Sequence, residues 1–312
     1  MSLIELIERS SARLTEAGVS FGHGTDNAFD EAAWLVLWRL GLALDELDSV
    51  AEQAVTAEQE AAVQALLDQR ITSRQPAAYL TGEAWLQGVA FTVDKRVIVP
   101  RSLIAEPLAD GALDVWLDEQ THRVLDLCTG NGSLAVLAAM AWPEVVVDAA
   151  DMSPDALAVA RLNVDRHGLA ERITLHQGDG LAAVAGQRYD LILCNPPYVN
   201  TDSMAALPAE YQAEPALALA GGADGMDFIR QLLHDAPRSM SPNGVLVLEI
   251  GHERAHFERA FPALDPVWLP TSAGDDQVLL LTRDAITLAQ RSSLQSSLQS
   301  ALQPALQPNP TP

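Results

Sequence analysis

Hydrophobic and polar positions along the 312-residue chain follow two rhythms that change near His122. From the start to about residue 75, apolar side chains recur at helical spacing. Leu3, Leu6, Ile7 and Leu14 share one face behind Ser2, a residue type suited to capping. Glu31–Leu40 is densely apolar and carries Trp34 and Trp38, and Glu58–Ile71 repeats the same period. Between the first two lies Gly18–Ala32, rich in Gly, Asp and Asn, which reads as a turn capping the second helix. From Tyr79 to Pro100 the texture breaks: Gly82 and Gly88 punctuate short runs such as Phe91–Val93 and Val97–Val99, the pattern of a small strand pair.

Beyond His122, strand-length apolar runs alternate with helical stretches. The predicted strands are Val124–Cys128, Val145–Asp151, Ile173–Gln177, Tyr189–Asn195, Val245–Ile250 and Val278–Thr282. The predicted helices are Leu134–Ala141, Pro154–His167, Met226–Met240 and His252–Ala260. Strands that are apolar on both faces and alternate with helices argue for an α/β fold, a parallel sheet covered on both sides. The last two strand candidates are joined through a Pro/Gly-rich link around Trp268–Pro270 and Gly274–Asp276, which predicts a C-terminal antiparallel hairpin. The expected organisation is a helical unit over 1–78, a connector with a β-hairpin over 79–120, the α/β unit over 121–288, and a Ser/Leu/Gln/Pro-biased tail over 289–312 read as disordered.

Charge narrows the range of partners. The formal net charge is −23, with 8 basic and 20 acidic residues in 1–120 and 10 and 22 in 121–285. The acidity therefore belongs to the whole body. Such a surface repels a phosphate backbone, which makes DNA a poor substrate, and attracts a basic protein. Cys128 and Cys194 are the only cysteines, which excludes a disulfide framework or a zinc motif, and no metal site is expected. The opening segment reads as an amphipathic helix and not as a secretion signal. No uncharged apolar stretch reaches the roughly 18 residues of a membrane span. The expectation is a soluble, cytoplasmic protein.

Candidate chemistry sits at strand ends. Asp126–Gly132 follows the first strand and precedes a helix, so its glycines allow a tight turn and close approach of a ligand. Thr129 and Asn131 break the GxGxxG spacing, which disfavours a dehydrogenase. Asp151 ends the second strand, about 20 residues after the glycines, where a carboxylate accepts hydrogen bonds from two ribose hydroxyls; Asp148 is the competing acid. Asp179 ends the third strand and is placed to take an adenine amino group. Asn195-Pro196-Pro197-Tyr198 follows the fourth strand. Its prolines stiffen the backbone and present carbonyl acceptors, Asn195 adds an acceptor, and Tyr198 offers an aromatic face. That combination suits a planar group bearing an NH₂, an amide or a base amine. His23 and His252 are read as exposed or capping residues without a chemical role.

Taken together these segments resemble the S-adenosylmethionine-dependent N5-glutamine methyltransferases, the HemK/PrmC/PrmB family, over roughly residues 15–285. Asp126–Gly132 is similar to the family's cofactor loop, Asp151 to its ribose acid and Asn195–Tyr198 to its NPPY motif. Pro76–Gly82, Val97–Arg101, Glu214-Pro215 and Gly221–Gly225 match further. The resemblance implies a Rossmann-like class I methyltransferase sheet and S-adenosyl-L-methionine as cofactor, bound by Asp126, Cys128, Thr129, Gly130, Asn131, Gly132, Asp151, Met152, Asp179, Gly180 and Asn195. It implies catalysis by Asn195, Pro196 and Tyr198, with Pro197 also binding substrate. Cys128 stands where many relatives have Gly.

Two details favour the ribosomal-protein (PrmB) branch over the release-factor (PrmC) branch. They are Phe21–Asn27, and Ser102 after Pro100-Arg101, where release-factor enzymes typically carry IPRPDTE. The implied target is then a glutamine in the large-subunit ribosomal protein three, a basic partner. An adenine-amino DNA methyltransferase shares the NPPY logic but needs a basic surface. A non-catalytic protein retaining the domain would be expected to have lost Asp151 or Asn195, and both are present.

Overall fold

The computed structural model describes residues 1–302. Helices Leu3–Glu16, Ala28–Leu40 and Ala57–Ser73 pack as an N-terminal unit around Leu6, Ile7, Leu35 and Leu67. Each has a side-chain cap: Ser2 and Thr56 form capping boxes, and Asn27 accepts from the Asp30 amide. A hairpin follows, β1 (Glu83–Leu86) and β2 (Val89–Thr92), turning through Gln87 and Gly88, both with left-handed φ. Its partner strand differs from the expected one. Val97–Val99 is not a strand, because its polar groups go to side chains instead: the Val97 carbonyl accepts from the Tyr79 hydroxyl, and the Val99 amide donates to Glu214.

The main sheet has seven strands. They are β3 (Arg123–Leu127), β4 (Val146–Asp151), β5 (Ile173–Gln177), β6 (Tyr189–Cys194), β7 (Met240–Glu249), β8 (Val267–Thr271) and β9 (Gly274–Thr282), in the order β5-β4-β3-β6-β7-β9-β8. The first five in that order run parallel; β9 runs antiparallel to β7, and β8 to β9. This is the expected class I methyltransferase sheet. One face carries the helix Ser133–Ala141 over Val124, Val147 and Leu191; the other carries Asp227–Ser239 over Leu125, Ile192 and Leu246. Chain order reverses between β3 and β6, which opens a crevice at the strands' carboxyl ends.

Two expectations need correction. The stretch around Trp268–Pro270 is strand β8 and not a bare link; as the sheet's edge it tolerates Pro270. Residues 289–302, expected to be disordered, belong to a helix spanning Arg283–Leu302. Ile286 and Ala289 are buried, and the Gln290 amide donates to the Leu233 carbonyl at 2.7 Å. The leucine spacing of the tail hid this, because the anchoring residues lie at the helix's beginning. Residues 303–312 lie outside the described part. Among the described residues no helix is long and apolar enough to cross a membrane.

Candidate active site

At the reversal, the loops after β3, β4, β5 and β6 converge on one cavity. Its lining includes Asp126, Cys128, Thr129, Gly130, Asn131, Asp151, Met152, Asp179, Gly180, Asn195 and Pro197. Gly132, Pro196 and Tyr198 are not part of that lining. The connector closes one side with Arg96–Ile98 and Pro100–Ser102, and Pro215, Leu217 and Phe228 close another.

The loop after β3 is built around Asp126. Strand alternation turns this acid toward the helix Ser133–Ala141, whose cap position, Gly132, has no side chain to offer. Asp126 supplies the missing acceptor, taking the Ala135 amide at 2.9 Å and the Thr129 hydroxyl at 2.5 Å. Burial pushes its carboxyl up to about 7, against the pull of those two donors. Gly132 has φ +81° and would press a Cβ against Ala160 at 3.2 Å, so a glycine is required there twice over. Cys128 adopts φ +62°, a left-handed conformation that strains a side chain and that glycine takes without cost. Asn163, fully buried, ties the loop to the hairpin by donating to the Asn131 and Thr92 carbonyls.

Asp151 ends β4 and faces the cavity. Its carboxylate accepts the Gly130 amide and the Ser153 amide, each at 2.9 Å, and each oxygen keeps a further lone-pair site. Burial raises its pKa while the amides oppose the rise. Asp148, the rival acid, is engaged elsewhere with Arg123 (2.7 Å), His176 (2.7 Å) and Tyr189 (2.9 Å), and it does not line the cavity. Asn131 accepts the Ser133 amide, yet its buried Nδ2 has no partner among the described residues. The Asn195 carboxamide has no hydrogen-bond partner among the described residues. Acceptor carboxylate, orphan amide donor and apolar walls at Met152 and Phe228 form a donor set that fits S-adenosylmethionine.

Several buried charges to which the sequence alone assigns no role lock this site to the rest. Glu214 accepts both Arg101 Nη1 (2.6 Å) and Nη2 (2.7 Å) and the Val99 amide (2.9 Å). Burial works against its charge, but His23 and Arg101 outweigh burial and hold the carboxyl at about 2. Arg70, fully buried in the N-terminal unit, pairs with Glu31 at 2.9 Å and with Glu210 at 3.1 Å. Glu249, at the end of β7, accepts from the Tyr198 hydroxyl at 3.0 Å. A lone acid ending an apolar strand was a readable signal for Glu249, the same one that marks Asp151.

His23 is not exposed, contrary to expectation. It is 2% accessible, its ring tilted 50° against that of Tyr211 at 4.2 Å between centroids, with Nε2 3.5 Å from Glu214. Phe21–Asn27 thus packs against the segment that follows NPPY, with only Gly24, Asp26 and Asn27 exposed. Gly22 has φ +113°, a conformation that strains any side chain, and a Cβ there would also press on the Tyr211 hydroxyl. His252 is exposed, as expected.

Comparison with known proteins agrees with this architecture. Residues 5–82 match the family model "PrmC N-terminal domain", and residues 112–212 match "Methyltransferase small domain". A ribosomal protein uL3 glutamine methyltransferase from Bordetella pertussis is 56% identical over 91% of this chain and 96% of its own length. The enzyme of that name from Burkholderia pseudomallei is 53% identical over 89% and 93%, and that from Neisseria gonorrhoeae 48% over 90% and 94%.

Proposed function

Because this chain belongs to the N5-glutamine methyltransferase family, among the ribosomal protein uL3 glutamine methyltransferases, we propose that it methylates the side-chain amide nitrogen of a glutamine in ribosomal protein uL3, acting in the cytoplasm. The observation that carries this reading is the convergence of the Asp151 carboxylate and the unengaged Asn195 carboxamide on one cavity where the strand order reverses.

S-adenosylmethionine, when bound, supplies a methyl group already activated by its sulfonium. Asp151 would hold the ribose hydroxyls with its spare lone pairs, Asp179 would take the adenine amino group, and Met152 would supply an apolar contact. The loop Cys128–Gly132 lets the backbone approach. On the substrate side, Asn195 Oδ1 and the Pro196 carbonyl accept the two N–H bonds of the glutamine amide. An amide nitrogen is a weak nucleophile because its lone pair is delocalised; acceptors fixed on its protons stabilise the positive charge that develops there. Pro196 and Pro197 keep those acceptors rigid, which lowers the entropic cost of alignment. The acidic surface, −23 overall, steers a basic ribosomal protein to the site and discourages DNA.

The test is incubation with radiolabelled S-adenosylmethionine and separate samples of uL3, a release factor and duplex DNA, with mass spectrometry of the labelled product. Label on a uL3 glutamine is expected. Label on the release factor or on DNA, with none on uL3, refutes the proposal.

A further inference from the structure

Glu249 is 3% accessible and, among the described residues, has no cation within hydrogen-bonding reach, although burying a carboxylate without a counter-charge is costly. Three directed donors hold it instead. The Ser102 hydroxyl (2.6 Å) and the Leu103 amide (2.9 Å) reach Oε2 from the connector, and the Tyr198 hydroxyl (3.0 Å) reaches Oε1 from the NPPY motif. Burial raises the pKa of Glu249, and these donors oppose the rise.

Tyr198 has little other freedom. A side chain at Gly251 would strike its ring, and one at Gly221 or Gly225 would strike its backbone. The next amide, Val199, donates to the Leu219 carbonyl at 2.8 Å. On the side chain the hydroxyl is the one polar group, and Glu249 accepts its hydrogen bond. Because two prolines separate Tyr198 from Asn195, a displacement of Tyr198 is passed to Asn195 with little slack.

We propose that Glu249, anchored by Ser102, is a positioning residue that sets Tyr198 and through it the amide-holding end of the site. This rests on the functional reading above. It also gives a physical role to Ser102: a residue without a hydroxyl would leave Oε2 with the Leu103 amide alone.

The test uses the full chain with Glu249→Gln, Ser102→Ala, Tyr198→Phe and the Glu249→Gln/Tyr198→Phe double variant. Glu249→Gln is expected to lower kcat on uL3 roughly tenfold to a hundredfold, as small misplacements near chemistry do, with S-adenosylmethionine affinity within about twofold of wild type. Ser102→Ala, the milder change, moves kcat in the same direction. In the Tyr198→Phe background, Glu249→Gln should add less than about twofold, since the hydroxyl through which it acts is gone. An undiminished effect in that background, or wild-type kcat in Glu249→Gln, overturns the proposal. Amide hydrogen exchange separates it from the functional reading. If wild type fails to methylate uL3, that reading falls; the clamp still predicts faster exchange at Leu103 and Val199 in Glu249→Gln, and unchanged rates at Val199 overturn it.

Discussion

Replacing Glu214 with Gln removes a charge at the point where three parts of the chain meet. Glu214 takes both terminal nitrogens of Arg101 and the Val99 amide, and lies 3.5 Å from His23 Nε2. A carboxyl held at about 2 instead of its ordinary 4.5 corresponds to roughly 3 kcal/mol favouring the charged form in the folded state. Glutamine fits the space, but its NH₂ must face the Arg101 guanidinium or the Val99 amide, donor against donor. At pH 7 the variant should therefore lose about 3 kcal/mol, within the range found when a buried ion pair is broken. The sign with pH follows from the depressed value. The carboxylate's contribution is complete above 4.5 and fades as pH falls toward 2, whereas glutamine has nothing to titrate. The stability gap between the two proteins should thus shrink by roughly half between pH 7 and pH 3. Urea unfolding at both pH values measures it. A gap that stays constant with pH, or falls below about 1 kcal/mol at pH 7, would refute the reasoning.

Asp151→Asn should weaken S-adenosylmethionine binding about 10-fold to 100-fold in calorimetry, since one of its two donor-facing positions becomes an NH₂ opposite the Gly130 or Ser153 amide; affinity in the wild type should fall as pH drops through the raised pKa of Asp151. Asn195→Ala should cut kcat roughly 10²–10³-fold while cofactor affinity is kept, measured by single-turnover labelling and titration. Cys128→Gly should stabilise the fold by about 0.5–1 kcal/mol in thermal unfolding, because φ +62° strains any side chain. Ile286→Ala should destabilise by about 2–4 kcal/mol in urea, because this fully buried side chain seats the C-terminal helix.

Much of the cavity's lining was legible in the sequence because it is local. Asp126, the glycine turn and Asp151 stand at strand ends, and apolar period together with turn residues marks strand ends without knowledge of the partners. Asn195–Tyr198 was legible for the same reason. What resisted was the use made of buried charge. Glu214 meets Arg101 across 113 residues, Glu249 meets Ser102 across 147, and Arg70 meets Glu210 across 140. In the sequence Glu249 is marked by its strand end, and Arg101, Ser102 and Glu214 by the segments they belong to, but nothing along the chain shows which partner each will meet. His23 looked exposed for that reason, and Val97–Val99 looked like a strand because apolar β-branched residues do not reveal that side chains will take their backbone groups. The C-terminal helix was hidden likewise, since its docking depends on Ile286 finding a surface formed by distant helices. Periodicity along a chain reports which side of an element avoids water. Whether a carboxylate can be buried depends on donors that arrive only when the sheet is assembled, so the chain alone determined which acids and turns would stand at strand ends, and the tertiary structure decided which of them line one cavity and which buried charges brace it.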